Sequence, residues 1–159
     1  MRKAIYAILF TGLIGMLSAC GSAKLLPADV SNQAIALGNV EDKASVYVYR
    51  TSILGGAVGM HVDLDDVRLT TLYPKNFYLC LLDPGEYVFT GNAENKDKIT
   101  VAVEAGKSYY IEIVPRMGIV MARCKIEPVD AAEGREKVGK CKLVGLNPEA
   151  QKALNYFAR

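Results

Sequence analysis

Residues 44–50 read Ala-Ser-Val-Tyr-Val-Tyr-Arg (ASVYVYR), and this stretch decides the fold class. β-Branched and aromatic side chains crowd the preceding turn of a helix but fit a pleated, half-buried surface, so the composition predicts a strand. Successive side chains of a strand point to opposite faces. Val46 and Val48 therefore share one side, and Tyr47 and Tyr49 the other. If both sides are covered, the tyrosines are core. If one lies open, their polar-tipped rings form a candidate contact surface for a protein or a glycan.

The same two-residue period recurs downstream. "VGMHVDL" (58–64) alternates Met60, Val62 and Leu64 with His61 and Asp63. "ITVAVE" (99–104) alternates Ile99, Val101 and Val103 with Thr100, Ala102 and Glu104. "SYYIEIV" (108–114) sets Tyr109, Ile111 and Ile113 against Tyr110 and Glu112. An apolar face at period two is the signature of a half-buried strand. Turn-formers separate the runs: Gly55-Gly56, Asp65-Asp66, Pro74-Lys75-Asn76, Asp83-Pro84-Gly85-Glu86, Ala105-Gly106-Lys107 and Arg116-Met117-Gly118. Pro presets φ and Gly accepts positive φ, which gives Pro84-Gly85 a turn mechanism. About seven or eight short strands at this spacing predict a mainly β chain, folded as an antiparallel β-sandwich or a small barrel.

The pattern changes after Pro128. Asp130 is placed to cap a short helix over about 131–138, with Glu133 in the position of a capping box. Asn147-Pro148 opens a second candidate helix within 146–159, where Ala150, Leu154 and Phe157 fall at helical spacing. The fold expectation is thus a sandwich with one or two short C-terminal helices.

Upstream, Ala4–Leu17 is apolar, follows Arg2 and Lys3, and ends in small residues and a cysteine: Leu17-Ser18-Ala19-Cys20. It is shorter than the roughly 20 apolar residues that a spanning helix needs, and it reads as a secretory signal. The Leu-Ser-Ala-Cys run resembles the lipobox of bacterial lipoproteins. The resemblance implies cleavage after residue 19, diacylation of Cys20 and a membrane anchor. Gly21 stands where lipoproteins kept in the inner membrane usually carry Asp, which implies the periplasmic face of the outer membrane. Residues 20–43 show no sustained period and read as a tether, with at most a short helical turn near 31–37.

Removing Arg2 and Lys3 leaves 17 basic against 17 acidic residues. The basicity of the whole chain belongs to its signal, so no electrostatic case for nucleic acid remains. Apart from Cys20 there are three cysteines, Cys80, Cys124 and Cys141. Export meets an oxidising compartment, so one disulfide is expected with one thiol left over. Three pairings are open, and Cys124–Cys141 is preferred because it would tie the last strand to the segment after the short helix. Metal ligation is not expected, since these cysteines are widely spaced and His61 is the only imidazole.

Candidate chemistry is sparse. "AGKS" (105–108) lacks the glycine that a phosphate loop needs five residues before Gly106, where Val101 stands. Asp63, Asp65 and Asp66 cluster, but a calcium loop counted from Asp63 would have Arg68 where Gly is required. Asp63 shares a strand face with His61 and could orient it, yet no nucleophile accompanies them. Gly55, Gly56 and the loop around them read as flexible, with His61 beside them as a minor ligand-contact candidate.

At this point the pieces resemble a known family. "ASVYVYR", a glycine-containing loop, "HVDLDDVRLTTLYPKNFYLCLLDPGEYVF", "VEAGKSYYIEI" and "VDAAEGREKV" occur in an order similar to the DUF2846 family of bacterial lipoproteins. The likeness covers about 44–145, and its Pro-Gly hairpin is shared with prealbumin-like and PEGA β-sandwich domains. Asp65-Asp66 replaces the usual Asp-Gly, and Cys80 is unusual for the central strand. The resemblance implies a fold and a location but no chemistry. The functional expectation is a lipid-anchored, non-enzymatic envelope protein with a structural or partner-binding role. It would need no cofactor beyond the lipid on Cys20, and would touch the membrane and an envelope protein or glycan. The alternative is a periplasmic module for a small ligand or glycan, using Tyr47, Tyr49, Gly55, Gly56 and His61.

Overall fold

A computed structural model describes residues 24–146. The signal peptide expected over 1–19, Cys20 and nearly all of the helix expected over 146–159 fall outside the described residues.

Among the described residues nine strands form two sheets. The large sheet has the order β8-β7-β1-β4-β9, and the small sheet β3-β2-β5-β6. Their ranges are β1 Ala44–Arg50, β2 Met60–Leu64, β3 Val67–Leu72, β4 Asn76–Leu82, β5 Gly85–Asn92, β6 Lys96–Val103, β7 Ser108–Arg116, β8 Arg123–Val129 and β9 Lys142–Leu143. The small sheet is wholly antiparallel. The large sheet departs from the antiparallel expectation, because β1 runs parallel to β7 and β4 parallel to β9. After β1 the chain builds β2 and β3 in the other layer and returns as β4, antiparallel to β1; after β5 and β6 it returns as β7, parallel to β1, and later adds β9 parallel to β4. Pro84-Gly85 is accordingly a bridge between sheets rather than a hairpin. The hairpin at Asp65-Asp66 joins β2 to β3 with both residues at positive φ, 45° and 66°. That is the backbone a two-residue turn of the primed type demands, and Asp tolerates it as Gly would.

All seven residues of β1 are buried. Val46 and Val48 meet Met60, Val62, Phe89, Ile111 and Ile113 between the sheets. Tyr47 and Tyr49 instead lie in a second cluster on the outer face of the large sheet, with Phe77, Tyr110 and Val138. Two helices cover that face, α1 over Ala28–Leu37 and α2 over Ala131–Val138. Asp130 Oδ1 accepts from the Ala132 N–H at 2.8 Å, so the cap forms as its sequence predicts. Glu133 turns away from the capping box and pairs with Lys137 at 2.7 Å.

α1 corrects the tether expectation over residues 24–43. The Leu26 N–H donates to the Leu143 carbonyl at 3.0 Å, and the Gly145 N–H donates to that of Lys24 at 2.9 Å. The Tyr47 hydroxyl holds the Ala34 carbonyl at 3.0 Å. A weak apolar stripe hid this helix in the sequence, and its stability comes from the docking partners.

The preferred Cys124–Cys141 pair is also corrected. Cys80, Cys124 and Cys141 are free thiols. Cys124 lies between the sheets on β8, and Cys141 lies under the helices beside β9. These strands are the two edges of the large sheet. Four inter-strand steps of about 4.8 Å separate them, far beyond the roughly 7 Å between Cα atoms that a disulfide spans.

Candidate functional site

Strand order brings four connections to one end of the sandwich: 51–59, 73–75, 93–95 and 117–122. The two longest are fixed by particular side chains, Arg50 for 51–59 and Glu94 for 117–122. Arg50 closes β1 with its side chain fully buried. Its guanidinium donates to the carbonyls of Val58 at 2.7 Å, Leu54 at 2.8 Å and Gly55 at 3.1 Å. Longer contacts reach Ser52 and Leu72. Burial holds the guanidinium below its ordinary pKa. The 51–59 loop thus wraps a cation with its own backbone dipoles, which corrects the expectation of a flexible glycine loop. Gly55, at φ 61°, lets the loop lie against its neighbour, since a Cβ there would stand 2.8 Å from that of Ala122.

That neighbour is the β7–β8 loop. Glu94, from the β5–β6 turn, accepts the N–H groups of Met121 at 2.7 Å, Val120 at 3.1 Å and Ile119 at 3.3 Å. These bonds, the Met121 N–H foremost, hold the Glu94 carboxyl below its usual range, with Arg123 adding to them. Asn95 exchanges two hydrogen bonds with the backbone of Cys124, at 2.8 and 2.9 Å. Gly118 is required by close approach, because a Cβ there would meet the Met121 carbonyl oxygen at 1.9 Å.

The pinned loop holds its apolar side chains in solvent. Met117 is 83%, Ile119 92% and Val120 86% exposed, with Met121 exposed behind them. Ile53 and Leu54 of the adjoining loop are exposed as well. Folding normally removes such groups from water, and contiguous exposed apolar surface marks an interaction site. Below the tip stand Arg116 and Arg123, both exposed and directly opposite each other across β7 and β8. Glu94 is the only acid in the four connections.

The residues singled out in the sequence fare unevenly. Gly55 and Gly56 belong to this pole. Tyr47 and Tyr49 do not, because β1 is the central strand and both its faces are covered. The Tyr47 ring stacks on Tyr110 with centroids 5.0 Å apart. Tyr49 Oη has no hydrogen-bond partner among the described residues. Their candidacy as a contact surface is corrected. His61, half-buried on β2, shares a 2.8 Å hydrogen bond with Thr71 Oγ1. Burial lowers its pKa, Arg68 lowers it further, and Asp63 opposes both. Asp63 does not orient the ring, because it takes the Arg68 guanidinium as its partner. The thiols are inert by burial, with Cys80 pushed up to about 12 and Cys124 and Cys141 to about 11. Among the described residues no group of three His, Cys, Asp or Glu side chains is placed to hold a metal ion.

Sequence reasoning missed Arg50, Glu94 and the apolar tip. "RMGIVMAR" (116–123) carried the signal, an aliphatic run too short for a strand between two arginines, but it read as a turn.

The family model described as "Protein of unknown function (DUF2846)" matches residues 40–124, spanning β1 to β7 and the first residues of β8. An uncharacterized protein of Haemophilus influenzae (strain ATCC 51907 / DSM 11121 / KW20 / Rd) is 25% identical over 134 residues, covering 83% of this chain and 80% of the relative.

Proposed function

The chain belongs to the DUF2846 family, and on that premise we propose that it is a lipid-anchored, non-enzymatic envelope protein that works by contact through its loop pole. The family supplies no chemistry, so the reading rests on the molecule. A single observation carries it: an aliphatic loop held out in solvent by three hydrogen bonds to one carboxylate. A rigid apolar projection costs solvation free energy and is retained where something covers it. Leu17-Ser18-Ala19-Cys20 supports acylation of Cys20, and with Gly21 it supports the periplasmic face of the outer membrane. A non-enzymatic role is supported by the engagement of His61 with Thr71 and of Asp63 with Arg68, and by the high pKa values of the thiols.

The test places a photo-cross-linking side chain at Val120 or, as a control at the opposite end, at Pro84, in the full chain in intact envelopes. The reading expects an adduct from Val120 and none of comparable yield from Pro84. It also expects the N-terminal peptide to carry two acyl chains on Cys20. Equal yields would contradict the contact pole, and an unmodified Cys20 would contradict the anchor.

One observation favours a second reading, a module for a small apolar ligand. A groove of about 700 Å³ runs beside β9, lined by Leu26, Leu79, Leu81, Leu143, Val144 and Leu146. A ligand held there would raise the melting temperature by mass action, and Leu79→Asp would remove that rise. A glycan is less well supported, since its stacking tyrosines are buried.

A further inference from the structure

We propose that the partner of the loop pole is an anionic phospholipid bilayer, entered by the 117–121 tip with Arg116 and Arg123 at the headgroups. The proposal rests on the reading of this pole as the contact surface and names what covers it.

Chemistry along the hairpin follows the order of a membrane surface. The outermost groups are Met117, Ile119, Val120 and Met121, all aliphatic or thioether, with no side-chain hydrogen-bonding group among them. A protein interface favours aromatic anchors as well as Arg and Met. The tip has no aromatic residue. Hydrocarbon asks only for apolar area and backbone polar groups with partners. Glu94 supplies partners for three backbone N–H groups of this loop.

The neck is cationic. Arg116 and Arg123 are cross-strand partners, an arrangement that like charges disfavour. Among the described residues neither is in an ion pair. They line a cleft of about 310 Å³ with Asn95, Asp97, Met117 and Lys125. Asp97 is occupied by the Ile126 N–H at 2.9 Å, and Lys125 by Glu127 at 2.5 Å. Two guanidiniums outside any ion pair, Arg116 one residue and Arg123 two residues below the apolar tip, with Arg123 also acting on the Glu94 carboxylate, fit phosphate groups at the depth where headgroups lie. The same charges argue against a second copy meeting tip to tip.

Reach agrees with this placement. Cys20 is four peptide steps before Lys24, a span of about 14 Å at most. Lys24 pairs beside Gly145 on the flank of the large sheet, and the tip lies about 25 Å farther along the strands. An acylated Cys20 and the inserted tip can therefore meet one bilayer when the sandwich lies along it. An acyl anchor and a basic, apolar loop are two signals of the kind that together give firm attachment.

The chain contains no Trp, so a single Val120→Trp reports the tip alone. The experiment takes the chain from residue 20 onward with Cys20→Ala, which removes acylation from the readout. Vesicles of equal parts phosphatidylglycerol and phosphatidylcholine should shift the emission of the introduced indole to the blue, and phosphatidylcholine alone should shift it far less. Arg116→Gln with Arg123→Gln should weaken binding about thirtyfold, as for two basic residues removed from an anionic surface. Ile119→Ser should weaken it at least tenfold, with the melting temperature unchanged. An unmoved emission, or a shift indifferent to the arginines, overturns the proposal. If that occurs while Val120 cross-links a discrete protein in envelopes, the lipid assignment fails and the contact pole stands. If Val120 cross-links nothing, both fail.

Discussion

Five carbonyl oxygens face the Arg50 guanidinium, which lies buried at the end of β1. A planar fork can serve several carbonyls of a wrapped loop at once, and an ammonium on a flexible stem cannot. Arg50→Lys should therefore cost about 3 kcal/mol of unfolding free energy in urea, because carbonyls lose a charged partner and stay buried. It should also open the 51–59 loop to protease. A lysine variant as stable as the parent would show that the loop does not depend on the fork. Residue 50 was readable as the last position of a strand, but its role was not, since its partners are backbone atoms brought round by a turn. Tyr47 and Tyr49 teach the converse. Their shared face was legible from alternation alone, whereas its burial depended on helices that the pattern there hardly announces.

Among the elements, α2 shows how closely the outer layer is fitted. A Cβ on Gly134 would lie 2.3 Å from Tyr110 Cβ and Cγ, and that ring is stacked on Tyr47. Lys137 bridges Glu112 of β7 and Glu133 of its own helix, at 2.6 and 2.7 Å, and the Glu112 hydrogen bond is the main cause of its raised pKa. Two effects oppose each other in Gly134→Ala. Helix propensity favours alanine by about 1 kcal/mol, while overpacking against a fixed ring costs about 1–3 kcal/mol or more. Contact this short should win, so the variant is expected to melt lower than the parent. A higher melting temperature would mean that α2 stands off the sheet. The cap at Asp130 and the length of α2 were legible because capping is local. α1 was not, since its Ser31 Oγ and Ala34 carbonyl bond to Leu143 and Tyr47, far away in sequence.

Across the whole molecule, a two-layer sandwich with helices on one outer face leaves one end free for the 51–59 and 117–122 loops. Period-two alternation made the layers legible in advance. The parallel pairs β1–β7 and β4–β9 were not, because alternation carries no strand direction, and the cysteine expectation failed because spacing carries no sheet order. The central claim is that the apolar pole is preformed, with Glu94 fixing the tip that Gly55 and Ala122 join to the Arg50 loop. Because the folded Glu94 pKa is lowered below 4.5, this pinning is fully present above that value and is lost as pH falls through the lowered one. Amide hydrogen exchange of the folded chain at neutral pH tests the claim most directly, comparing the parent with Glu94→Gln. The amides of Ile119, Val120 and Met121 should exchange well below free-peptide rates in the parent and markedly faster in the variant. Free-peptide rates in the parent would contradict the account, leaving the exposed side chains on a loose loop with no built surface.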